Sequence, residues 1–263
     1  MKSVEQILHD CYVNGVRIDP EPYHQYLESG STEPKTLRQM ESLISYAAGT
    51  GRVHPSFGRH HQNGRITYRN PNLVALGWKA KALILPDEGH VMMQAYFRHA
   101  ELRAAAVLSG DLDFLALLAQ PDVHQYMADK MGIGRTSAKQ AIFNGLYRLE
   151  FPHAWEYLSH FPKLFDWVSP SDPDGDWVYS RPPNRAHDLQ RFCAEATDLE
   201  LFTVQNILTD TGARVLCPMP DGIYLSCPMK EQEQVKALVL KAMEQNLLDA
   251  SVEVSIGANM AAL

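Results

Sequence analysis

The chain has few cysteines, no basic excess and no long apolar run. Cys11, Cys193, Cys217 and Cys227 are scattered, and no two of them form a C-x-x-C pair. This argues against a zinc knuckle or a disulfide framework and fits a reducing, cytoplasmic compartment. Lys and Arg number 24 against 31 Asp and Glu, a formal charge of −7. A histone-like coat is therefore excluded, although a local basic groove on an acidic body is not. No stretch approaches the ~20 apolar residues that a membrane span needs. The opening Met1-Lys-Ser-Val-Glu-Gln-Ile-Leu-His-Asp10 carries acids, as expected of a chain without a secretory leader. Gly and Pro, 16 each, are too few for collagen-like or low-complexity classes.

What remains is ordinary globular material. The 263 residues are 45% hydrophobic and 21% charged, enough for one large domain or two small ones. Helical spacing of apolar residues predicts helices over 3–13, 23–27, 35–48, 100–119, 122–131, 135–149, 184–210 and 229–246. Lys81–Pro86 and Val91–Ala95 read as strands joined at the turn 86–90. Residues 213–217 and 223–227 read as a hairpin, and 250–256 as a last strand. A Pro/Asp/Gly loop falls at 169–175. The pattern predicts an α+β fold with antiparallel hairpins and packed helices.

Three stretches carry chemistry. Residues 51–86 hold Arg52, Arg59, Arg65, Arg69, Lys79 and Lys81 and no Asp or Glu. In an acidic protein this segregation suits a phosphate-tracking surface, where each cation displaces condensed counterions. A solvated loop face would read the same way. In the second stretch, Arg135, Lys139, Phe143 and Tyr147 recur every four residues. Four-residue steps drift only about 40° around a helix, so the row stays on one face for about 18 Å. Cations at one end and rings at the other suit a nucleotide. A helix that buries its rings and solvates its charges is the plainer alternative. The third is Asp221 at the hairpin tip, a potential metal ligand or an ordinary turn Asp before Gly222. His60-His61 reads as a solvated pair, and Trp78, Trp155, Trp167 and Trp177 read as packing residues.

Taken in order, these pieces resemble the family A DNA polymerases, the group of bacterial DNA polymerase I. Asn14-Gly-Val-Arg-Ile-Asp19-Pro resembles the opening of that polymerase region. Gly51-Arg-Val-His54, Gly64-Arg65-Ile-Thr and Asn70-Pro-Asn-Leu73 resemble its G-R-V-H…G-R-L-S-S…P-N-L-Q-N run. Residues 91–103 resemble motif A, and Asp122-Val-His124 resembles its D-I-H. Arg135, Lys139, Phe143 and Tyr147 match R-x3-K-x3-F-x3-Y of motif B. Residues 185–198 weakly resemble a later palm helix. Pro220-Asp221-Gly222 stands where motif C has H-D-E, and Val252–Gly257 resembles the last strand.

The resemblance implies a polymerase-like palm with an antiparallel sheet and a reduced helical fingers subdomain. Its partners would be DNA, primer–template or single-stranded, and a deoxynucleoside triphosphate. It divides the chain into an N-terminal helical segment (1–50), a first palm part (51–121), reduced fingers (122–183) and a second palm part (184–263). Carried over, His124, Arg135 and Lys139 would meet the triphosphate, and Phe143 and Tyr147 the base and template. Glu101 would gate ribose against deoxyribose. Arg65 and Arg185 would contact DNA near the primer end, with Arg52 and Arg69 adding to the DNA surface.

The departures from the family matter as much. Its two-metal chemistry holds two Mg²⁺ between an Asp of motif A and an Asp of motif C. Here Tyr96 stands at the motif A position and Asp221 is the remaining acid, so any Mg²⁺ would rest on Asp221. Loss of a metal-binding carboxylate costs several kcal/mol of transition-state stabilisation, roughly 10³-fold in rate. Only about thirty residues separate Asp19 from Gly51, where the family inserts its thumb. No exonuclease domain is expected, and grip on duplex would come from a protein partner or a second copy. Three readings stay open: an impaired homologue that binds DNA or nucleotide, a minimal DNA-directed polymerase still active in replication, and an assembly protein that keeps only the scaffold. A phage or mobile element would suit such a chain.

Overall fold

The computed structural model describes residues 2–59, 63–147, 151–169, 185–244 and 246–263. The His60-His61 pair, the loop expected at 169–175 beyond Ser169, and Trp177 lie outside them. Two compact units form: Met1–Arg98 with Ala194–Leu263, and His99–Cys193.

The first unit begins with helix α1 (Val4–Asn14), closed at its start by a capping box between Ser3 and Gln6. Gly15 ends it at φ 60°, where a Cβ would lie 2.7 Å from the His54 ring and 2.8 Å from the Val53 carbonyl. Only glycine suits that turn. Strand β1 (Val16–Ile18) follows, then helices α2 (Glu21–Glu28) and α3 (Pro34–Ala47). Strands β2 (Arg52–Val53), β3 (Ser56–Gly58) and β4 (Thr67–Arg69), the four-residue helix α4 (Trp78–Lys81), β5 (Ile84–Leu85) and β6 (His90–Phe97) complete the first segment.

Helices α5 (Ala100–Ser109), α6 (Leu112–Leu117), α7 (Val123–Met131), α8 (Arg135–Leu146), α9 (Ala154–Ser159) and α10 (Pro162–Val168) build the second unit. Helix α11 (Arg185–Ile207) starts there and continues into the first unit. Strands β7 (Arg214–Met219) and β8 (Gly222–Pro228), helix α12 (Gln232–Met243) and strand β9 (Val252–Gly257) close the first unit.

The first unit's main sheet has the order β7-β8-β6-β9, and its recorded pairings are antiparallel. A small sheet, β2-β1-β5, and the β3-β4 hairpin lie in the same unit. Val16, Leu43, Val53, Leu83, Met92 and Leu216 belong to one buried cluster that joins the small sheet, α3 and the main sheet. Burial of such side chains contributes about 1.5–3 kcal/mol each. Glu200 lies on the core face of α11, 2% exposed, and its Oε2 has no hydrogen-bond partner. All four cysteines are buried, and none is in a disulfide. No helix among the described residues is long and apolar enough to cross a membrane.

The structure corrects several expectations. The strand expected over 81–86 shrinks to Ile84–Leu85, and it pairs with β1 rather than lying beside β6. The turn at 86–90 therefore carries the chain from one sheet to another. Asp87 pins that crossing between Arg52 and Arg214. The single helix expected over 100–119 is two. Gly110 leaves α5 at φ 65°, and Asp111 caps α6 through the Phe114 amide at 2.9 Å. The same carboxylate accepts from the Lys163 and Leu164 amides of α10, each at 3.1 Å. One buried acid thus satisfies the open ends of two helices. Trp78 is not a packing residue but is 72% exposed, and Trp155 is 40% exposed. Helix α5 packs against α10 within the second unit.

Candidate nucleotide and nucleic-acid site

The expected motif A and motif C residues meet at one end of the main sheet. Tyr96 of β6 lies directly opposite Gly222 of β8 and directly opposite Glu253 of β9. Strands run ~4.8 Å apart, so this row spans about 10 Å on one face. The Tyr96 hydroxyl donates to Glu253 Oε2. Arg98 Nε lies 3.7 Å from Glu253 Oε1, and the Arg98 amide donates to the Ser251 carbonyl at 2.9 Å. The bond to Glu253, with burial adding to it, pushes the Tyr96 phenol up to about 12.

Asp221 occupies the β7–β8 turn. Its carbonyl accepts from the Phe97 amide at 2.8 Å, and the preceding Pro220 carbonyl accepts from Thr197 Oγ1 of α11 at 2.9 Å. Burial raises the Asp221 carboxyl above its ordinary value, against a backbone hydrogen bond and the charge of Arg65. Of the expected acids and cations, then, Asp221 and Arg65 come within electrostatic reach of each other. Gly222 has no room for a side chain: a Cβ would stand 2.1 Å from the Ala95 carbonyl oxygen and 2.6 Å from Tyr96 Cα. A glutamate at that position would collide with backbone.

Arg52 lies elsewhere in the same unit. Its Nη2 is 2.6 Å from Asp87 Oδ1, while Arg214 Nε is 2.6 Å from Oδ2. Burial opposes ionisation of Asp87, but hydrogen bonds from Arg214 and Arg52 outweigh it and hold the acid well below the usual range. Arg59 is bound to Asp198 at 2.7 Å. Arg69 is exposed at the end of β4.

In the second unit, α8 presents the expected row. Arg135 and Lys139 are exposed, Phe143 and Tyr147 half-buried, and Ala138, Ala141, Ile142 and Leu146 form the buried side. Gly145 lets the helix approach α9, since a Cβ there would lie 2.9 Å from Leu158 Cδ1. Tyr147 is the C-cap rather than part of the helix, and its oxygen accepts from Gln190 at 3.3 Å. Asp122 caps α7 through the Gln125 amide at 3.0 Å and holds Arg135 at 2.8 Å. The Arg135 bond, with the amide, keeps the Asp122 acid at about 2.

His124 is 5% exposed, and its Nδ1 has no hydrogen-bond partner. Its ring stands 5.9 Å from that of His99 and 6.3 Å from that of Phe143. Burial, and then the charges of His99, Lys139 and Arg135, lower it to about 4. A neutral imidazole beside two fixed cations suits contact with phosphate oxygens without adding charge. Glu101 is half-buried in the first turn of α5. Arg185 packs its guanidinium over the Trp167 ring at 5.3 Å and donates to the Trp167 carbonyl at 3.0 Å.

No family model matches the chain. In sequence it is 26% identical over 291 residues to the thermostable DNA polymerase I of Thermus filiformis, covering 89% of this chain and 35% of that protein. Against DNA polymerase I of Deinococcus radiodurans it is 23% identical over 270 residues, covering 80% and 28%. The chain is similar to bacterial DNA polymerase I. It spans about a third of the length of these curated relatives. Its fold is that of a polymerase domain: the POL domain of Pol1 from M. smegmatis, in complex with DNA primer-template and dNTP, superposes with a TM-score of 0.70. That match has 18% identity and covers 86% of this chain and 51% of the other.

The polymerase-like sheet end also contains residues that sequence reasoning missed. Glu253 was legible only as part of a closing strand, because its partner Tyr96 lies 157 residues away. Arg98 was visible only as a non-acid after Tyr96. The alternation of Val252, Glu253 and Val254 is the one local signal that Glu253 shares a face with its cross-strand neighbour.

Proposed function

We propose that this polymerase-like chain binds DNA and a deoxynucleoside triphosphate and is impaired in phosphoryl transfer. The row Gly222, Tyr96, Glu253 carries the reading. Two-metal transfer needs carboxylates at adjoining strand ends to hold cations of combined charge +4. At Tyr96 a neutral phenol replaces the acid, and Mg²⁺ prefers hard, charged oxygens. Gly222 offers no ligand. Glu253 faces the Tyr96 hydroxyl and the Arg98 guanidinium, so its charge is already matched by a cation of the protein. Asp221 is left, in surroundings that disfavour its ionised form. Among the described residues no group of three or more His, Cys, Asp or Glu is placed to hold a metal. This donor set does not fit a two-Mg²⁺ centre, and no step is derived through one.

Nucleotide binding is supported by the motif B row on α8. Lys139 and Arg135 are exposed cations for phosphates, and Phe143 supplies a half-exposed ring. The M. smegmatis domain, whose fold this chain shares, was solved with primer-template and dNTP. DNA binding is assigned to Arg65, Arg69 and Arg185, and duplex grip to a protein partner or a second copy.

Primer extension with Mg²⁺ and with Mn²⁺, comparing wild type with Asp221→Ala, tests the reading. The expected result is no incorporation above the variant's background, with dNTP binding present and weakened by Lys139→Ala. Incorporation that Asp221→Ala abolishes would establish the minimal polymerase instead. Absence of both dNTP and DNA binding would leave the scaffold reading.

A further inference from the structure

Among the described residues Trp78 is the most exposed large hydrophobic side chain, at 72%, and the polymerase motifs give it no role. An indole left in water costs hydration free energy, so a fully presented ring invites a partner surface. Lys79 Nζ lies 5.9 Å from the Trp78 ring and 5.1 Å from the Tyr26 ring. Tyr26 is only 9% exposed, so the ammonium covers it and stands beside the open indole.

The surroundings form a built edge. The segment from Arg69 to Lys79 is laid along α3 by two sets of contacts. At one end the Tyr46 hydroxyl donates to Asn70 Oδ1 at 3.3 Å. At the other, Gln39 donates to the Ala75 carbonyl at 3.3 Å and accepts from the Gly77 amide at 3.0 Å. Gln39 and Tyr46 are two helical turns apart, about 10 Å, on one face of α3. Arg69 is exposed at one end of this edge, and Tyr46 beside it is 47% exposed. Trp78, Lys79 and the exposed Lys35 mark the other end. The segment 69–79 contains no acid. Glu33 at the N-cap of α3 accepts from Thr36 Oγ1 at 2.9 Å, and Glu41 within α3 accepts from the Tyr23 hydroxyl at 3.2 Å.

We propose that this edge binds single-stranded nucleic acid, with a base stacked on the indole of Trp78 and phosphates on Lys79, Lys35 and Arg69. An open aromatic face on an edge lined with cations is the arrangement that sequence-tolerant single-strand binding uses. A stacked strand rises ~3.4 Å per nucleotide, so an edge of about 10 Å accommodates roughly three phosphates. Charge decides between this occupant and an apolar protein surface: cations stand at both ends of the edge, Lys79 beside the ring and Arg69 at the far end. The inference rests in part on the proposed DNA binding, since Arg69 serves both, and not on the nucleotide-binding row of α8.

Fluorescence anisotropy of a labelled oligothymidylate, titrated with the full chain at several salt concentrations, tests the proposal. Trp78→Ala is expected to weaken binding about tenfold and Trp78→Phe much less, since a phenyl ring still stacks. Lys79→Ala and Arg69→Ala are each expected to weaken binding and flatten its salt dependence. Because Trp78 is exposed, the Ala variant should melt with wild type, which separates lost binding from lost fold. Unchanged affinity in Trp78→Ala, or absence of oligonucleotide binding by wild type, would overturn the proposal. Binding of dATP measured in the same samples, with Lys139→Ala as its own variant, reports on the α8 reading separately.

Discussion

Tyr96 lies directly across the sheet from Glu253, and its hydroxyl donates to that carboxylate. The residue at the expected motif A position is thus tied to the carboxylate on the next strand. Arg98, two residues on, adds a positive charge to the same carboxylate. Replacing Tyr96 by Asp would set a carboxylate where the phenol now donates. Tyr96→Asp is expected to repel Glu253, free it from its neutral donor and create Mn²⁺ affinity that wild type lacks. Isothermal titration with Mn²⁺ reads this directly, and an unchanged isotherm would show that the strand end cannot be re-armed by this change alone.

Gly222 determines how far such re-arming can go. With 2.1 Å between a built Cβ and the Ala95 carbonyl oxygen, any side chain forces β8 away from β6. Gly222→Ala is expected to cost about 3 kcal/mol or more, as overpacking with a backbone shift does. Chemical denaturation would show it as a lower midpoint with an unchanged slope. Gly222→Glu should fare worse still, so double restoration with Tyr96→Asp should not recover the motif pattern in a folded sheet.

The fingers-like helix was largely legible in the sequence, and the sheet end was not. Arg135, Lys139, Phe143 and Tyr147 lie four apart, so helical geometry alone places them on one face, and α8 bears this out apart from its earlier end at Leu146. The row Gly222–Tyr96–Glu253 joins three strands distant in the chain, and no local period reveals which residues will face one another. The break at Gly110 escaped for a related reason. Leu102, Ala105, Phe114 and Leu118 keep a helical stripe across it, while the cap that decides the break, Asp111, is fixed by α10 some fifty residues later. Trp78 was read as packing because aromatic residues usually are; its exposure follows from Gln39 anchoring the backbone at Gly77.

Asp87 is the third test. It holds Arg52 and Arg214 together beneath the chain's crossing between sheets, with its amide bonded to Ser226 Oγ at 2.9 Å. Asp87→Ala leaves two guanidinium groups facing each other and is expected to cost about 3 kcal/mol. The carboxyl is depressed in the folded state, so its contribution is present above its ordinary value and is lost as pH falls below that. Thermal melts between pH 7 and pH 3 should show a steeper decline in wild type than in the variant.

Glu200 has the opposite sign. Burial raises its carboxyl to about 7, and no partner offsets the charge. The protonated form is favoured by folding, so the contribution is full below the ordinary value of 4.5 and is lost as pH rises to about 7. Glu200→Gln keeps the shape without the charge. It is expected to stabilise the protein by about 2 kcal/mol at pH 8 after allowance for partial screening, and to change little at pH 4. Melting curves of the pair at the two pH values decide it; equal differences at both would mean that the carboxyl is not charged at a cost.

His124 supplies a prediction for the second unit. Its imidazole is lowered to about 4 by burial and the surrounding cations, so it is neutral through the physiological range. The stability that depends on it is full above the ordinary value of 6.5 and falls as pH drops from there toward 4. An NMR titration should find one imidazole unprotonated at pH 5.5, and His124→Gln should remove that signal.

The central proposal is that the sheet end holds a cation of its own, Arg98 on Glu253, in place of a metal pair. Electron paramagnetic resonance of Mn²⁺ titrated into wild type and Asp221→Ala measures it most directly. The account predicts that wild type leaves the Mn²⁺ free and matches the variant. Tightly held Mn²⁺ on the wild-type chain, lost in Asp221→Ala, would contradict it.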